Sequence, residues 1–458
     1  MNRRTFLAGV LASTAGALVT TRRTALARVP IDPISILVVD FNGGWNVHAS
    51  FAARTNPNVN PFGIYEGDTG IVTPSKLLFR DRDALVSLTS DAWSERVPGF
   101  EDAARRFSII GAMRHSLSYA LDDHVTTSRF CGTGYIDRLD VPGLGTIIGR
   151  FAPKGTKAPP AVVIGAGASS GEMARAPGAW QPHAPIRLAP DALPGRGAEV
   201  RWSATEDAID ETARNDRRAL GAKKLDTLHG FKEALRTYRR FFLDPAIDPS
   251  RDPAARYRDG LLGDGSPSTQ QLREAFGGTG SSDERALALA VRCLEGGSRF
   301  VGVGIGGYDF HSRETDAGPL YVKSAHLLAG LSFVLEKTGL ASKVLVVALS
   351  EMARSPYEGF YNEGGGTDHG SSGIVTPHGD HGSNRQTVLL AHGPIVPGRE
   401  VYAAEPEFGD PVASPCITAE LLALLAECAG VERTQHPWSL SPDGAPLSAD
   451  VLAKGLLA

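Results

Sequence analysis

Apolar and polar positions alternate along this chain in two rhythms. Short, largely apolar runs rich in β-branched residues recur at 34–40, 107–111, 161–164, 300–305, 343–349 and 387–391. Runs of this length, bounded by Gly, Pro or polar residues, predict strands buried on both faces, the habit of parallel sheets. Between many of them, apolar residues return every three to four positions, which predicts helices over about 81–88, 99–106, 283–296, 320–339 and 417–429. Strand and helix in alternation predict an α/β fold: a three-layer sandwich with a mostly parallel central sheet.

One segment departs from that rhythm. Residues 204–243 are charged and helix-compatible, with Ile209, Leu220, Leu225, Leu228, Phe231, Leu235 and Tyr238 at helical spacing. They predict a helical insertion forming a cap or side layer. Gly- and Pro-rich stretches at 165–194 and 245–268 predict loops on either side. No internal repeat is visible.

The first residues read as an address and not as fold. Arg3-Arg4 precede Phe6-Leu7, an apolar run follows to Val19, and Ala25-Leu26-Ala27 has the small-x-small form of a cleavage site. This pattern predicts a twin-arginine export signal over 1–27, the twin-arginine translocase as a transient partner, and a periplasmic or secreted protein. Residues 28–458 then form a single α/β domain. Removing 1–27, which holds four arginines and no acid, takes the formal charge from −4 to about −8. No basic stripe remains to bind nucleic acid, and no later apolar run has transmembrane length. The four cysteines, Cys131, Cys293, Cys416 and Cys428, show no C-x-x-C spacing and read as buried free thiols.

Chemistry-bearing residues cluster just after strand ends, where open parallel sheets bind ligands. Asp40 ends the first strand and leads into Asn42-Gly43-Gly44. Asp309 and His311 follow the fourth strand, and Ser350-Glu351 follows the strongest one, with Arg354 shortly behind. Two Asp-His-Gly triplets, Asp368-His369-Gly370 and Asp380-His381-Gly382, come next. Carboxylate and imidazole together make the donor set of zinc and other first-row divalent ions. Asp40, Asp309, His311, Asp368, His369, Asp380 and His381 are therefore candidate metal ligands. Glu351 is a candidate base or ligand, and Arg354 a candidate oxyanion holder through its planar fork. Each has a plainer reading: Asp40 as a turn cap, Asp309 as a helix cap, Glu351 and Arg354 as an ion pair. Asp122-Asp123-His124 opens a helical stretch and reads first with Asp122 as its N-cap, with His124 as an alternative metal or substrate ligand. His115, His183, His229, His326, His392 and His436 stand alone and suggest no role.

The ordered motifs Gly307-Tyr308-Asp309-Phe310-His311, Ser350-Glu351-Met352-Ala353-Arg354-Ser355 and Gly366-Thr367-Asp368-His369-Gly370 resemble those of the bacterial domain of unknown function 1501 family. Its members read Gly-Trp-Asp-Thr-His, Ser-Glu-Phe-Gly-Arg-Thr and Gly-Thr-Asp-His-Gly at these places. Gly398-Arg399-Glu400-Val401-Tyr402 and Thr418-Ala419-Glu420-Leu421-Leu422 are similar to that family's end. The family looks like a relative of the alkaline phosphatase and sulfatase superfamily. That resemblance implies an alkaline phosphatase-like sandwich, one or two divalent metals (zinc first, then manganese or calcium), and a phosphate or sulfate ester substrate, small or part of a glycan or lipid. The chain also departs from the pattern. Asn46 stands where relatives carry Asp, the two Asp-His-Gly triplets compete for one position, and no Cys/Ser-x-Pro-x-Arg sulfatase signature is present. The expected function is an exported, metal-dependent hydrolase, with a non-catalytic binding or assembly protein on the same scaffold as the alternative.

Overall fold

The computed structural model describes residues 32–45, 106–115, 123–154, 156, 158–165, 167–190, 211, 281–309, 318–355, 380–382, 386–404, 411–438 and 449–458. The chain divides into two compact units, Met1–Asp32 and Pro33–Ala458, and all described residues but Asp32 belong to the second. The export signal and nearly all of the 204–243 insertion lie outside the described residues, as do the 81–88 segment and most of 99–106.

The six strong apolar runs all form strands: β1 (Ser35–Phe41), β2 (Phe107–Arg114), β3 (Ala161–Ile164), β5 (Phe300–Ile305), β6 (Val344–Leu349) and β9 (Gln386–Ala391). Every residue of β3, β5, β6 and β9 is buried, which matches runs without polar alternation. Short strands complete the set: β4 (Ile186–Leu188), β7 (Ala353–Ser355), β8 (Asp380–Gly382), β10 (Glu400–Val401) and β11 (Cys416–Ile417). The main sheet runs β10-β2-β9-β6-β1-β5-β3-β4, with β11 also on β2, while β7 and β8 pair separately. Among the described strands of the main sheet only β9 runs antiparallel, against both β2 and β6. The mostly parallel α/β sheet is as the sequence predicts.

Helices cover both faces. Leu37, Val39 and Phe41 of β1 and Val301, Val303 and Ile305 of β5 share a cluster with Leu287, Ala290 and Val291 of α4 (Ser282–Glu295) and with Leu328, Leu331 and Leu335 of α5 (Gly318–Lys337). The alternate residues point to the other face, which α1 (His124–Thr133), α2 (Leu144–Phe151), α3 (Ala168–Met173) and α6 (Thr418–Cys428) cover. A short helix, α7 (Ala449–Leu456), packs against α6. Two of the predicted helices, 283–296 and 320–339, return within two residues as α4 and α5, and 417–429 returns as α6. α1, α2, α3 and α7 are short or weakly amphipathic and have little signature in the sequence. All four cysteines are buried and free. Among the described residues no helix is long and apolar enough to cross a membrane.

Candidate metal and active site

β6, β1 and β5 are neighbours in the sheet and run parallel, so their carboxyl ends lie side by side. Three acids emerge there: Asp40, the penultimate residue of β1, Glu351 two residues after β6, and Asp309 four residues after β5. Asp40 and Glu351 are fully buried (0% exposed), whereas the Asp309 side chain is 52% exposed. His124, the first residue of α1, stands between the levels: its Nδ1 is 2.7 Å from Glu351 Oε1 and its Nε2 is 3.3 Å from Asp309 Oδ1.

Local sequence explains how these groups are held. Gly43 and Gly44 take positive φ of 118° and 94°, so successive N–H groups turn inward. Gly43 N–H donates to Glu351 Oε1 at 2.8 Å, and the N–H groups of Gly44 and Trp45 donate to Ser350 Oγ at 3.0 and 3.2 Å. The Ser350 hydroxyl lies 2.7 Å from the Phe41 carbonyl and 3.0 Å from Glu351 Oε2. The buried Trp45 pins the loop: its indole N–H donates to Ser324 Oγ at 3.0 Å and its ring packs on Phe41. A Cβ at Gly43 would fall 2.1 Å from the Asp309 backbone nitrogen, so only glycine lets the loops after β1 and β5 touch.

The backbone of Ser350-Glu351 is fixed as firmly as the carboxylate. The Gln386 amide and the Cys131 thiol both donate to the Ser350 carbonyl, at 3.0 and 3.5 Å. His115 Nε2 donates to the Glu351 carbonyl at 2.7 Å, which leaves Nδ1 to accept from Thr418 Oγ1 at 2.9 Å. Burial pulls the His115 pKa down to about 4, so the ring stays neutral. Burial, with the charges of Asp40 and Glu351, pushes the Cys131 thiol up, so it remains a donor and not a thiolate.

Asp40 sits against the start of α3, where Ser170 N–H donates to Oδ2 at 2.9 Å. A Cβ at Gly167 would lie 2.6 Å from that oxygen, so glycine is again what permits the approach. Among the described residues Oδ1 completes no hydrogen bond. Burial first, and then the charge of Glu351, push the Asp40 pKa up to about 8, against weaker help from the polar groups of Ser169 and Ser170. Among the described residues no Lys or Arg forms an ion pair with Asp40 or Glu351.

A buried charge without a partner is costly, and proteins usually compensate it with a cation, a proton or a metal. Two buried carboxylates, a third at the mouth, an imidazole and an orphaned carboxylate oxygen suit a divalent cation by donor chemistry. Among the described residues no three His, Cys, Asp or Glu side chains close on one point.

The structure brings Asp40, Asp309 and Glu351 to one edge. His311, Asp368 and His369 lie outside the described residues. Asp380 and His381 fall on β8, whose backbone pairs with β7 so that Arg354 is directly opposite His381 and Ser355 opposite Asp380. Backbone register thus carries the second Asp-His-Gly triplet to the strand that leaves Glu351. His124 is the residue the sequence undervalued. Its helix cap is real, though one residue later than expected: the Asp123 side chain accepts from Thr126 N–H at 2.8 Å. A cap and a site residue occupy adjacent positions, and an acid-His pair opening a helix was the available signal.

The family model for proteins of unknown function DUF1501 matches residues 86–431. The chain belongs to the DUF1501 family. No curated protein matches this DUF1501 chain. Among solved structures it is similar to a sulfatase, PsFucS1, from Pseudoalteromonas sp., at 10% identity and a TM-score of 0.38, covering 93% of this chain and 72% of that one. It is similar to the lipoteichoic acid synthase LtaP from Listeria monocytogenes, at 7% identity and a TM-score of 0.36, covering 90% and 76%. It is also similar to an alkaline phosphatase from the Antarctic bacterium TAB5, at 11% identity and a TM-score of 0.32, covering 88% and 100%. The assignment of this DUF1501 chain to a mostly parallel α/β sandwich stands on its own strands and helices.

Proposed function

We propose that this protein is an exported, metal-dependent hydrolase acting on a phosphate or sulfate ester. The observation that carries the reading is the pair of buried carboxylates, Asp40 and Glu351, at the carboxyl edge of three adjacent parallel strands, uncompensated by any Lys or Arg among the described residues. Two like charges at that depth do not coexist unaided: a proton on Asp40 or a bound cation must join them.

The residues that would hold a divalent cation, zinc first and manganese or calcium next, are Asp40, Asp309, His311, Asp368 or Asp380, and His369 or His381. A divalent cation there supplies Lewis acidity to an ester oxygen. The chain's own residues do the rest. Arg354, opposite His381 in the β7–β8 pairing, brings a planar donor fork suited to a phosphoryl or sulfuryl oxyanion. Glu351 is held in place by the Gly43 N–H and the Ser350 hydroxyl, on a loop that Trp45 anchors to Ser324. The half-exposed Asp309 marks the side open to solvent, from which a small ester or the ester group of a glycan or lipid can approach. The leader at 1–27 supports delivery through the twin-arginine translocase to the periplasm or beyond.

The test is metal content by plasma mass spectrometry on protein purified without chelator, together with hydrolysis of a panel of phosphate and sulfate esters. We expect about one or two equivalents of a divalent metal, and loss of hydrolysis in Asp309→Ala and His369→Ala with the fold retained. A folded protein that carries no metal and refuses added metal would replace this reading with a binding or assembly role, which Asn46 favours.

A further inference from the structure

We propose that a corner of the sheet away from the acids, formed by Trp180, Phe151, Arg150, Lys154 and His183, is a surface site for an anionic polysaccharide. It needs no cation at the other rim, so it goes beyond the functional reading above and stands apart from it. α2 ends at Phe151, ahead of β3, and a single 3-10 turn, Gly178–His183, comes just ahead of β4. β3 and β4 are parallel neighbours at one end of the sheet. Both pieces therefore lie at the amino rim, across the sheet from Asp40 and Glu351.

The turn is firmly placed. Gly149 lets α2 lie against it: a Cβ there would sit 3.2 Å from the His183 carbonyl oxygen and 3.1 Å from the Ala161 side chain. Trp180 N–H donates to the Pro177 carbonyl at 3.1 Å, and the Gln181 amide donates to the Ala176 carbonyl at 2.6 Å. This sets the Arg150 guanidinium 4.5 Å from the centre of the half-buried Trp180 ring and 5.5 Å from that of Phe151. Phe151, 36% exposed, is the one exposed aromatic ring among the described residues.

Charge points to the kind of ligand. Arg150 and Lys154 are exposed, and among the described residues neither forms an ion pair. Burial lowers the His183 pKa, and Arg150 and Lys154 lower it further with no carboxylate to counter them, so the ring is neutral and free to hydrogen-bond a hydroxyl. These cations stand in water, unlike Asp40 and Glu351, so leaving them unpaired costs the fold little. The chain as a whole carries a formal charge of −4, which repels a polyanion; attraction has to be local, and this corner supplies it. The rings complete the match. An aromatic face is electron-rich, and the C–H face of a sugar ring lies flat against it. A guanidinium stacked on such a ring keeps its in-plane N–H donors for a sulfate or carboxylate. A nucleic-acid backbone calls on many more cations than these, and one exposed ring is too little apolar surface to hold a membrane.

The test uses the full chain in chelator, so that no metal-held ester at the other rim contributes. The probes are dextran sulfate, uncharged dextran of the same length, poly(vinyl sulfate), which has the charge without the sugar, and vesicles of anionic phospholipid. We expect dextran sulfate to bind, and each of the others to bind about 10-fold more weakly or worse. Lys154→Gln removes an exposed side chain without a bonded partner among the described residues, and should weaken binding about 3-fold at low salt and reduce its salt dependence. Trp180→Ala should cost about 10-fold, with Trp180→Phe recovering most of it. In parallel, N-bromosuccinimide oxidation of the wild type, read by peptide mass spectrometry, should modify Trp180 in the free protein and spare it once dextran sulfate is bound; this needs no variant to fold. Equal Trp180 oxidation with and without dextran sulfate, or wild-type binding by both Lys154→Gln and Trp180→Ala, overturns the proposal. So does binding of poly(vinyl sulfate) or of the vesicles as tight as that of dextran sulfate. A protein that refuses metal would sink the functional reading and leave this one standing.

Discussion

The two edges of the central sheet carry similar residues in opposite electrostatic states. At the carboxyl edge Asp40 and Glu351 are fully buried, and among the described residues the one ion pair to either is that of His124 with Glu351. At the amino edge a cleft of about 350 Å3 is lined by Arg106, Glu336, Ser342 and His392 among others. There the charges are settled: Arg106 pairs with Glu336 at 2.8 Å in partial exposure, and buried His392 lies 2.7 Å from the Ser332 hydroxyl. Burial, with Arg106 nearby, pulls the His392 pKa down to about 4, so it stays neutral. A cleft with balanced charges can simply be structure. An edge that leaves charge unbalanced in low dielectric has kept it at a cost to stability, and function is the usual reason.

That contrast can be broken or sharpened by experiment. The largest effect is expected from Gly43→Ala, where a methyl must enter at 2.1 Å from the Asp309 nitrogen and at a φ of 118°. We expect a loss of roughly 3 kcal/mol or more in urea unfolding; a wild-type midpoint would mean that the two loops do not need to touch. Next is Asp40→Asn, which removes a buried carboxyl that folding must protonate or pair, its pKa being pushed up to about 8. In chelator it should stabilise the protein by on the order of 1–4 kcal/mol, and in zinc it should bind more weakly than wild type. A destabilised variant in chelator would show that Asp40 belongs to the architecture instead.

At the quiet edge the effects shrink. His392 has a folded pKa near 4, below the ordinary 6.5. Between those values the unfolded chain binds a proton that the native protein cannot, so stability is full above pH 6.5 and falls as pH drops toward 4. His392→Asn, which tolerates the φ of 65° at that position, should flatten this acid limb by about 2–3 kcal/mol at pH 4.5. Parallel pH profiles of the two proteins would rule that out. Smallest of all, Arg106→Ala should cost less than about 1 kcal/mol, because the ion pair it breaks is half in water. A larger loss would give the amino edge a weight that its exposure does not suggest.

How much of this was legible in the sequence depended on length and burial. Strands buried on both faces announce themselves as apolar runs, and all six such runs are strands. β10 and β11, two residues each, and the three-residue β7 and β8 have no room for a pattern, and only pairing defines them. Asp40, Asp309 and Glu351 could be read from their place after strands, because parallel strands end at one edge. His124 could not be ranked the same way, because a helix start is an ordinary place for an acid-His pair. What distinguishes it is the arrival of Glu351 from 227 residues away. His115 looked isolated for the same reason: its partners, Glu351 and Thr418, come from the loop after β6 and from α6.

The one reversed strand has a consequence for how such a protein can diversify. Because β9 runs against β6, the chain leaves β6 and enters β9 at the same rim, the rim that carries Glu351. The chain between the two strands is therefore anchored at that rim at both ends, and the pairing of β7 with β8 joins its two arms. Lengthening a connection whose ends are fixed costs little, since closure entropy grows only with the logarithm of its length. Residues can be added there while every strand keeps its register.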